Sequence, residues 1–353
     1  MAGAVTRLGD PAPALPEELQ VEVSGACNLR CRMCLVRYAP AISKREGALD
    51  LEQFLSLVDS LPRLRRLTLQ GLGEPLLSPH LVEMVRHASA RGAAVGFNTN
   101  GTLLDRASAE RLVAAGLAWL HVSLDGATPE TYEDVRHGTD FRPRPGQFER
   151  VVANLRGLVE VRRAAGSALP RIQLVFVAMR RNVAELPQLV RLAADVGVEE
   201  VRVQNLSHDF SDTDPAGAYE EIRGYAREEA LFGAREAASE LAEAAFEGAR
   251  LAADETGIDL RLPRLEESAP GPRRAPGQPA CGWPWQSAYV THRAEVLPCC
   301  MVMGSERATL GDLHDESFEQ IWSGGAYAEF RERLLGEEPP DVCRGCSLYR
   351  GVF

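Results

Sequence analysis

Three closely spaced cysteines constrain this chain more than any other feature of its sequence. Cys27, Cys31 and Cys34 are spaced Cys-x3-Cys-x2-Cys and follow an alternating apolar run over residues 19–23. Thiolates are soft ligands that suit iron–sulfur clusters or zinc. A structural zinc site needs four closed ligands, and no fourth Cys or His lies nearby in the sequence. Three thiolates would instead leave one iron of a cubic 4Fe–4S cluster open to a small molecule. Buried structural thiols, or half of a zinc site, are the alternatives.

The spacing of these cysteines, on a loop after a first strand, resembles that of the radical S-adenosylmethionine (SAM) enzymes. The resemblance implies that Cys27, Cys31 and Cys34 hold a 4Fe–4S cluster whose open iron binds SAM. In that family, one electron from the cluster splits SAM into methionine and a 5′-deoxyadenosyl radical, which abstracts a hydrogen atom from the substrate. It also implies a flavodoxin- or ferredoxin-type electron donor. Met33 stands where the family usually has an aromatic residue.

Composition argues against several other classes of protein. The chain has 353 residues, a net charge of −11 and a pI near 5.3, and these values disfavour a nucleic-acid surface. No apolar run approaches the roughly 18 residues that span a bilayer, and the N-terminus lacks the pattern of a signal peptide. We therefore expect a cytoplasmic protein without a membrane segment. The eight cysteines fall into two groups, which favours two metal sites over a disulfide framework.

Strand-like and helix-like segments alternate from residue 19 to residue 206 and predict an α/β fold. Strands are predicted at 19–24, 66–70, 94–99, 117–124, 172–177 and 201–205, and helices at 50–60, 80–90, 105–115, 148–165 and 183–196. Such βα repeats fit either a parallel barrel or a wound sheet, and periodicity does not choose between them. The resemblance implies the partial (β/α)6 TIM-like barrel of radical SAM enzymes.

The carboxyl ends of these strands carry polar residues, and chemistry gathers at that edge of such barrels. The stretch 71–75 resembles the Gly-Gly-Glu-Pro loop of the family, which implies that Gly73 and Glu74 meet the amino group of SAM; alone, it predicts only a turn. Asn98, at the end of the third strand, is a further candidate for contacting SAM. Ser123 lies in a stretch that resembles the family's Ser-x-Asp-Gly strand, which implies a place near the SAM ribose or carboxylate.

Alternation in the fourth strand places His121, Ser123 and Asp125 on one face. His121 is the candidate for proton transfer on the substrate, with a hydrogen-bonded core histidine as the alternative. Asp125 is expected to cap the following turn. Polar side chains also alternate with apolar ones on other strands, namely Glu22, Gln70, Gln173 and Gln204. If they face inward, the cavity favours a hydroxyl-rich or otherwise polar substrate.

Two segments lie outside the alternating pattern of the barrel. Residues 1–18 are predicted to form a loose N-terminal tail, and residues 207–280 a helical insertion followed by a Pro/Gly-rich linker. The helical part, at 218–256, is amphipathic. It is interpreted as a solvated cap, with a lid over the barrel mouth or a docking face for a partner as alternatives.

A second group of cysteines occupies residues 281–353. A short hairpin is predicted around residues 289–299 and a helix at 318–331, and the layout resembles the twitch domain, a shortened form of the SPASM extension of radical SAM enzymes. The resemblance implies an auxiliary 4Fe–4S cluster held by Cys281, Cys299, Cys343 and Cys346, with Cys300 as a spare that can replace Cys299. A zinc ribbon is the alternative, because Cys-x2-Cys also suits zinc.

A fully ligated auxiliary cluster is suited to accept an electron, which predicts a net two-electron oxidation. The chain resembles the twitch-type dehydrogenases of aminocyclitol biosynthesis, such as 2-deoxy-scyllo-inosamine dehydrogenase. We therefore expect a radical SAM oxidoreductase that acts on a sugar- or cyclitol-like molecule in specialised metabolism, such as antibiotic biosynthesis. The alternatives are decarboxylation or epimerisation of a sugar derivative, modification of a ribosomal peptide, and a non-catalytic electron-relay or maturation protein.

Overall fold

The structure, a computed structural model, describes residues 9–10, 13–38, 46–206, 217, 219–231, 236–263, 279 and 281–350. Within these ranges one sheet of ten strands organises the chain, in the order β10-β9-β8-β1-β2-β3-β4-β5-β6-β7. The strands are β1 (Glu18–Val21), β2 (Arg66–Thr68), β3 (Ala94–Thr99), β4 (Trp119–Ser123), β5 (Arg171–Ala178), β6 (Glu200–Asn205), β7 (Asp259–Arg261), β8 (Ser287–Val290), β9 (Glu295–Leu297) and β10 (Gly311–Asp312). Only the pairs β8–β9 and β9–β10 are antiparallel in this sheet.

Helices connect most of the parallel strands. They are α1 (Leu35–Tyr38), α2 (Leu51–Asp59), α3 (Leu81–Ala90), α4 (Arg106–Ala114), α5 (Pro129–Val135), α6 (Gln147–Ala164), α7 (Leu186–Val196), α8 (Glu220–Glu229), α9 (Glu236–Thr256), α10 (Trp283–Gln286), α11 (Phe318–Ser323), α12 (Gly325–Leu335), α13 (Asp341–Arg344) and α14 (Ser347–Arg350). Short 3-10 helices cover Pro75–Leu77, Val183–Glu185 and Cys300–Val302. In the described part of the chain, no helix is long and apolar enough to cross a membrane.

The predicted α/β fold is confirmed, and the six predicted strands pair in parallel in chain order. Local sequence signals, such as helix N-caps, set the limits of several elements. The carboxylate of Asp105, for example, accepts a hydrogen bond from Ser108 N at 2.8 Å, so that α4 begins at the next residue, Arg106. The single helix predicted at 318–331 is wrong, because extended backbone at Gly324 (ψ 170°) separates α11 from α12.

The two faces of the sheet differ in chemistry. The face toward the helices is apolar, and Phe97, Leu120 and Leu174 on it are essentially inaccessible to solvent. The residues that alternate with them face the inside of the partial barrel and include several polar side chains. Asn98 is in register with His121, and His121 with Gln173, across three adjacent strands. The predicted inward placement of Gln173 thus agrees with its register.

The segment predicted as a helical insertion, 207–280, contributes to the barrel. Strand β7 extends the sheet, pairing in parallel with β6. Helix α9 packs on α7 through small buried side chains such as Ala242, Ala245 and Ala249. A lid formed by α9 is therefore excluded, because its apolar face is already used to cover the sheet. Residues 264–278, which include most of the predicted linker, lie outside the described residues.

The C-terminal segment continues the same sheet. Strand β8 pairs in parallel with β1, with Leu19 opposite Ala288. The expectation of a loose tail is wrong for the described part of the N-terminal segment. The Nε1 atom of Trp285 donates to Asp10 O at 2.8 Å, and that of Trp322 donates to Pro13 O at 3.2 Å. The predicted limits of the domains stay predictions.

Candidate metal and SAM site

The first three cysteines lie on a loop, residues 22–34, that connects β1 to α1; we call it the cluster loop. Backbone hydrogen bonds attach it to the end of α5. Arg30 N donates to His137 O at 2.8 Å, and Arg32 N donates to Val135 O at 2.9 Å. Cys31 is buried, whereas Cys27 and Cys34 are partly exposed. The three thiols therefore lie near one another, partly shielded from solvent, after the carboxyl end of the first strand.

Burial makes these thiols costly to ionise unless positive charge is supplied. Desolvation raises the pKa of all three thiols, that of Cys31 to about 12, and the charges of Cys31 and Cys34 raise the pKa of Cys27 further. Cysteine side chains bind metals as thiolates, that is, only when deprotonated. A 4Fe–4S cluster fits this donor set, because its irons would supply the missing positive charge. No three Cys, His, Asp or Glu side chains of the described residues converge on a single metal ion.

A buried ion pair beside these cysteines escaped the sequence reasoning. Asp125, predicted to cap a turn, accepts from Arg136 Nε at 2.8 Å and from Val177 N at 2.8 Å. The Nη1 atom of Arg136 lies 3.8 Å from Cys31 Sγ. The cap prediction is wrong because Asp125 holds a guanidinium against the cysteines. An Arg after α5 gave no local signal of this contact.

The predicted SAM loop, residues 71–75, lies against the cluster loop. Glu74 N donates to Ala26 O at 2.8 Å. A Cβ at Gly73 would lie 2.0 Å from Ser24 O, so this close approach requires glycine. The Glu74 carboxylate is buried and accepts from Thr99 Oγ1 at 2.6 Å and Asn100 N at 2.8 Å. Burial raises its pKa, which those hydrogen bonds oppose. Glu74 thus fixes the loop, and its contact with SAM stays a prediction.

The remaining predicted site residues line the barrel interior. Asn98, His121 and Ser123 lie on the inward face of β3 and β4, each partly exposed. The His121 ring contacts that of Trp119, with centroids 4.4 Å apart and the ring planes tilted by 39°. Desolvation, together with the cationic Arg66 and Arg202, lowers the pKa of His121 to about 4. His121 is therefore neutral at neutral pH. A role as proton donor is disfavoured, and contacts of Asn98 and Ser123 with SAM stay predictions.

The five cysteines of the second group lie near one another. The thiol of Cys299 has a pKa raised well above its ordinary value by burial and by the four other thiols, Cys300, Cys346, Cys343 and Cys281. Cys300, which opens the 3-10 helix, is partly buried, and desolvation raises its pKa to about 12. The five thiols pack with Trp285 and Leu297 in one apolar cluster. The five thiols lie near one another and a 4Fe–4S cluster would need four of them, so the spare cysteine stays unassigned between Cys299 and Cys300.

An α/β barrel with a thiol site at each end of the chain is the architecture of an iron–sulfur protein. Sequence profiles identify the two parts. The Radical SAM superfamily profile matches residues 21–193, and the SPASM iron–sulfur cluster-binding domain profile matches residues 281–347. The chain thus combines a Radical SAM domain with a SPASM domain. The first implies a 4Fe–4S cluster and SAM, and the second implies auxiliary iron–sulfur binding.

Known proteins resemble the chain over different lengths. A cofactor-modifying protein of tungsten-containing aldehyde ferredoxin oxidoreductase from Pyrococcus furiosus is 31% identical over 53% of this chain, which spans about half (51%) of that relative. The AdoMet-dependent heme synthase of Methanosarcina barkeri is 29% identical over 94% of this chain and 91% of its own. The PqqA peptide cyclase of Xanthomonas campestris is 25% identical over 94% of this chain and 79% of its own.

A solved structure has the same fold. The Streptococcus suis protein SuiB bound to S-adenosylmethionine aligns with a TM-score of 0.63 and 14% identity, over 95% of this chain and 72% of that one. At this identity the likeness concerns the fold alone. It agrees with the parallel-dominated sheet and its C-terminal extension.

Proposed function

We propose that the chain is a radical SAM enzyme that oxidises a polar molecule held inside the partial barrel. Bound at the first site, a 4Fe–4S cluster and SAM would supply a 5′-deoxyadenosyl radical for hydrogen abstraction. Cys27, Cys31 and Cys34 would hold that cluster, and the backbone of the SAM loop would orient SAM beside it. The protein contributes burial, which shields a reactive radical from water.

The polar interior of the barrel carries this proposal. Among the described residues, the buried Oε1 atom of Gln173 and the Nε1 atom of Trp119 have no hydrogen-bond partner. Leaving buried polar atoms unpaired is costly, so such atoms at a site favour a ligand that pairs with them. Arg202 faces the same space near His121. These groups suit a ligand with hydroxyl, carbonyl or carboxylate oxygens, and a sugar- or cyclitol-like intermediate meets that requirement.

The second thiol site supports an oxidation. After hydrogen abstraction, a substrate that loses one electron and one proton is oxidised by two electrons in total. An auxiliary cluster held by Cys281, Cys299, Cys343 and Cys346 would accept the electron. A neutral His121 would be able to accept the proton, although its lowered pKa makes it a weak base. The donor that reduces the first cluster is proposed to be a flavodoxin or ferredoxin.

Modification of a peptide is the second candidate. The similarity to a peptide cyclase along most of this chain favours it, whereas the similarity to a heme synthase over nearly the whole of both chains favours a small molecule. Decarboxylation or epimerisation would use the same hydrogen abstraction.

Anaerobic reconstitution followed by reduction in the presence of SAM tests the proposed class. About eight iron and eight sulfide per chain are expected for two clusters, together with 5′-deoxyadenosine. Cys31→Ala is expected to abolish SAM cleavage. Cys343→Ala is expected to retain SAM cleavage and to lose product formation. Parental cleavage by Cys31→Ala would contradict the proposed role of the first site.

A second experiment addresses the substrate class. Polar metabolite fractions and peptide fractions are compared for their ability to stimulate 5′-deoxyadenosine formation. Gln70→Ala and Gln204→Ala are expected to reduce the stimulation, because both side chains are predicted to face inward and both are partly exposed. Stimulation by peptides alone would favour the second candidate. Unchanged turnover in both variants would argue against a polar substrate in the barrel.

A further inference from the structure

A buried carboxylate links two loops of the proposed SAM site. Glu22 follows β1, and its side chain is inaccessible to solvent. Its Oε1 accepts a hydrogen bond from Leu72 N, in the SAM loop, at 2.8 Å. A Cβ at Gly71 would lie 2.3 Å from Glu22 Cγ, so the two segments are in direct contact. The position of the SAM loop therefore depends on where the carboxylate of Glu22 is held.

The auxiliary domain holds that carboxylate through one histidine. His292 lies in the turn between β8 and β9 and is buried. Its Nδ1 is 2.7 Å from Glu22 Oε2, which also accepts from the backbone N of His292 at 3.3 Å. Because a carboxylate can only accept, Nδ1 carries the proton and donates. A buried carboxylate is stable only when hydrogen-bonded or paired, so this contact fixes its rotamer.

The same imidazole packs against the cluster loop. A Cβ at Gly25 would lie 2.4 Å from His292 Cε1, and Gly25 precedes Cys27 by only two residues. Strand β9 leads from the turn toward Cys299. One side chain of the auxiliary domain thus touches the cluster loop directly and reaches the SAM loop through Glu22.

We propose that His292 is a positioning residue for SAM, through which the auxiliary domain sets the geometry of the SAM loop. The inference rests on the proposed function, in which the backbone of that loop orients SAM. It requires neither His292 nor Glu22 to touch SAM or either cluster. Loss of the hydrogen bond from Nδ1 removes the shorter of the two hydrogen bonds that His292 donates to Glu22 Oε2, so that the acceptor of Leu72 N is held less tightly.

His292→Leu tests the inference, because leucine keeps an apolar body against Gly25 and removes the donor. In the reconstituted protein, we expect the Kd for SAM to rise about tenfold, because that is the typical effect of losing one hydrogen bond to a charged group. The Kd is measured from the change that SAM causes in the electron paramagnetic resonance spectrum of the reduced cluster. Hydrogen exchange across residues 71–75 is expected to accelerate. The iron content is expected to stay at the parental value.

Two further variants separate positioning from general damage. His292→Asn keeps a donor near the position of Nδ1 and is expected to restore most of the affinity. Arg293→Ala alters the exposed neighbour in the same turn and is expected to match the parent protein. Glu22→Gln preserves the side-chain shape and is also expected to weaken SAM binding. It provides the test if His292→Leu does not fold.

The outcomes distinguish this inference from the proposed function. A lower unfolding temperature in His292→Leu with parental SAM affinity and parental exchange at 71–75 would overturn the inference alone. The same conclusion would follow if His292→Leu did not fold and Glu22→Gln bound SAM with parental affinity. A parent protein that binds no SAM would overturn the proposed function and this inference with it.

Discussion

The buried pair of Asp125 and Arg136 is the residue-level feature that most affects the stability of the first site. Arg136→Met would leave the Asp125 carboxylate buried with Val177 N as a hydrogen-bond donor and without its cation. Breaking such a pair costs about 3–5 kcal/mol. We therefore expect a markedly lower midpoint of anaerobic thermal unfolding. Arg156→Met breaks an exposed pair with Asp195 at 2.6 Å and serves as the control, with an expected cost below about 1 kcal/mol. Equal midpoints in the two variants would contradict the prediction.

The same substitution has a consequence for the cluster. Hydrogen bonds to cluster sulfurs contribute to its reduction potential, and Arg136 is the cation nearest to Cys31 Sγ, at 3.8 Å. Arg136→Lys, which can still pair with Asp125, is expected to shift the midpoint potential to a more negative value. A redox titration followed by electron paramagnetic resonance measures it. A potential equal to that of the parent protein would show that this donor does not act on the cluster.

His121 gives a dependence of stability on pH. Its folded-state pKa of about 4 lies below the ordinary value of 6.5, because of desolvation and the nearby cations Arg66 and Arg202. The unfolded chain therefore binds more protons between these values, and stability falls as the pH falls through this window. Between pH 6.5 and pH 5 the loss from this group is about 2 kcal/mol. In His121→Gln, the urea midpoint of unfolding is expected to depend less on pH over that range. A dependence on pH equal to that of the parent protein would contradict the assignment.

Residue identity alone predicted the thiol sites but not their surroundings. Cysteine spacing is a local pattern, so Cys27, Cys31 and Cys34 stood out in the sequence. The contact of Arg136 with Asp125 spans 11 residues and that of His292 with Glu22 spans 270. Neither pair follows from a local pattern, because only the tertiary fold brings the partners together.

At the scale of elements, α8 is the helix that covers the cluster loop. Ile222 is inaccessible to solvent and packs with Leu35 and Val36 of α1. Ile222→Ala is expected to cost about 2–5 kcal/mol and to accelerate the loss of iron to a chelator, since this contact holds α1 behind Cys34. Glu228→Ala, at an exposed position of the same helix, is the control. Iron loss at the control rate in Ile222→Ala would show that α8 does not retain the cluster.

Elements with strong local periodicity were predicted well, and those defined by distant partners were not. Strand β3 has the predicted limits, Ala94–Thr99. The hairpin of β8 and β9 was also predicted. The parallel pairing of β8 with β1 was not, because neither segment carries a sequence pattern that identifies so distant a partner strand. Strand β7, with three residues, is too short for an alternating pattern.

At the scale of the whole molecule, the auxiliary segment completes the sheet as well as carrying thiols. Strand β8 pairs with all four residues of β1, from Glu18 to Val21. A chain ending at residue 263 would expose this edge to intermolecular pairing and would leave Glu22 without His292. We expect the truncated chain to aggregate and to show no SAM cleavage, by size-exclusion chromatography and by assay of 5′-deoxyadenosine.

Cys343→Ala is the control variant for this truncation. It removes a proposed ligand of the auxiliary cluster yet leaves β8 and His292 in the chain, so we expect a monodisperse protein that still cleaves SAM. The difference between the truncated chain and Cys343→Ala would separate the structural contribution of the auxiliary domain from its proposed redox contribution. If the truncated chain were monodisperse and cleaved SAM at the parental rate, the barrel would be self-sufficient, and the contacts of β8 with β1 and of His292 with Glu22 would be dispensable for radical chemistry.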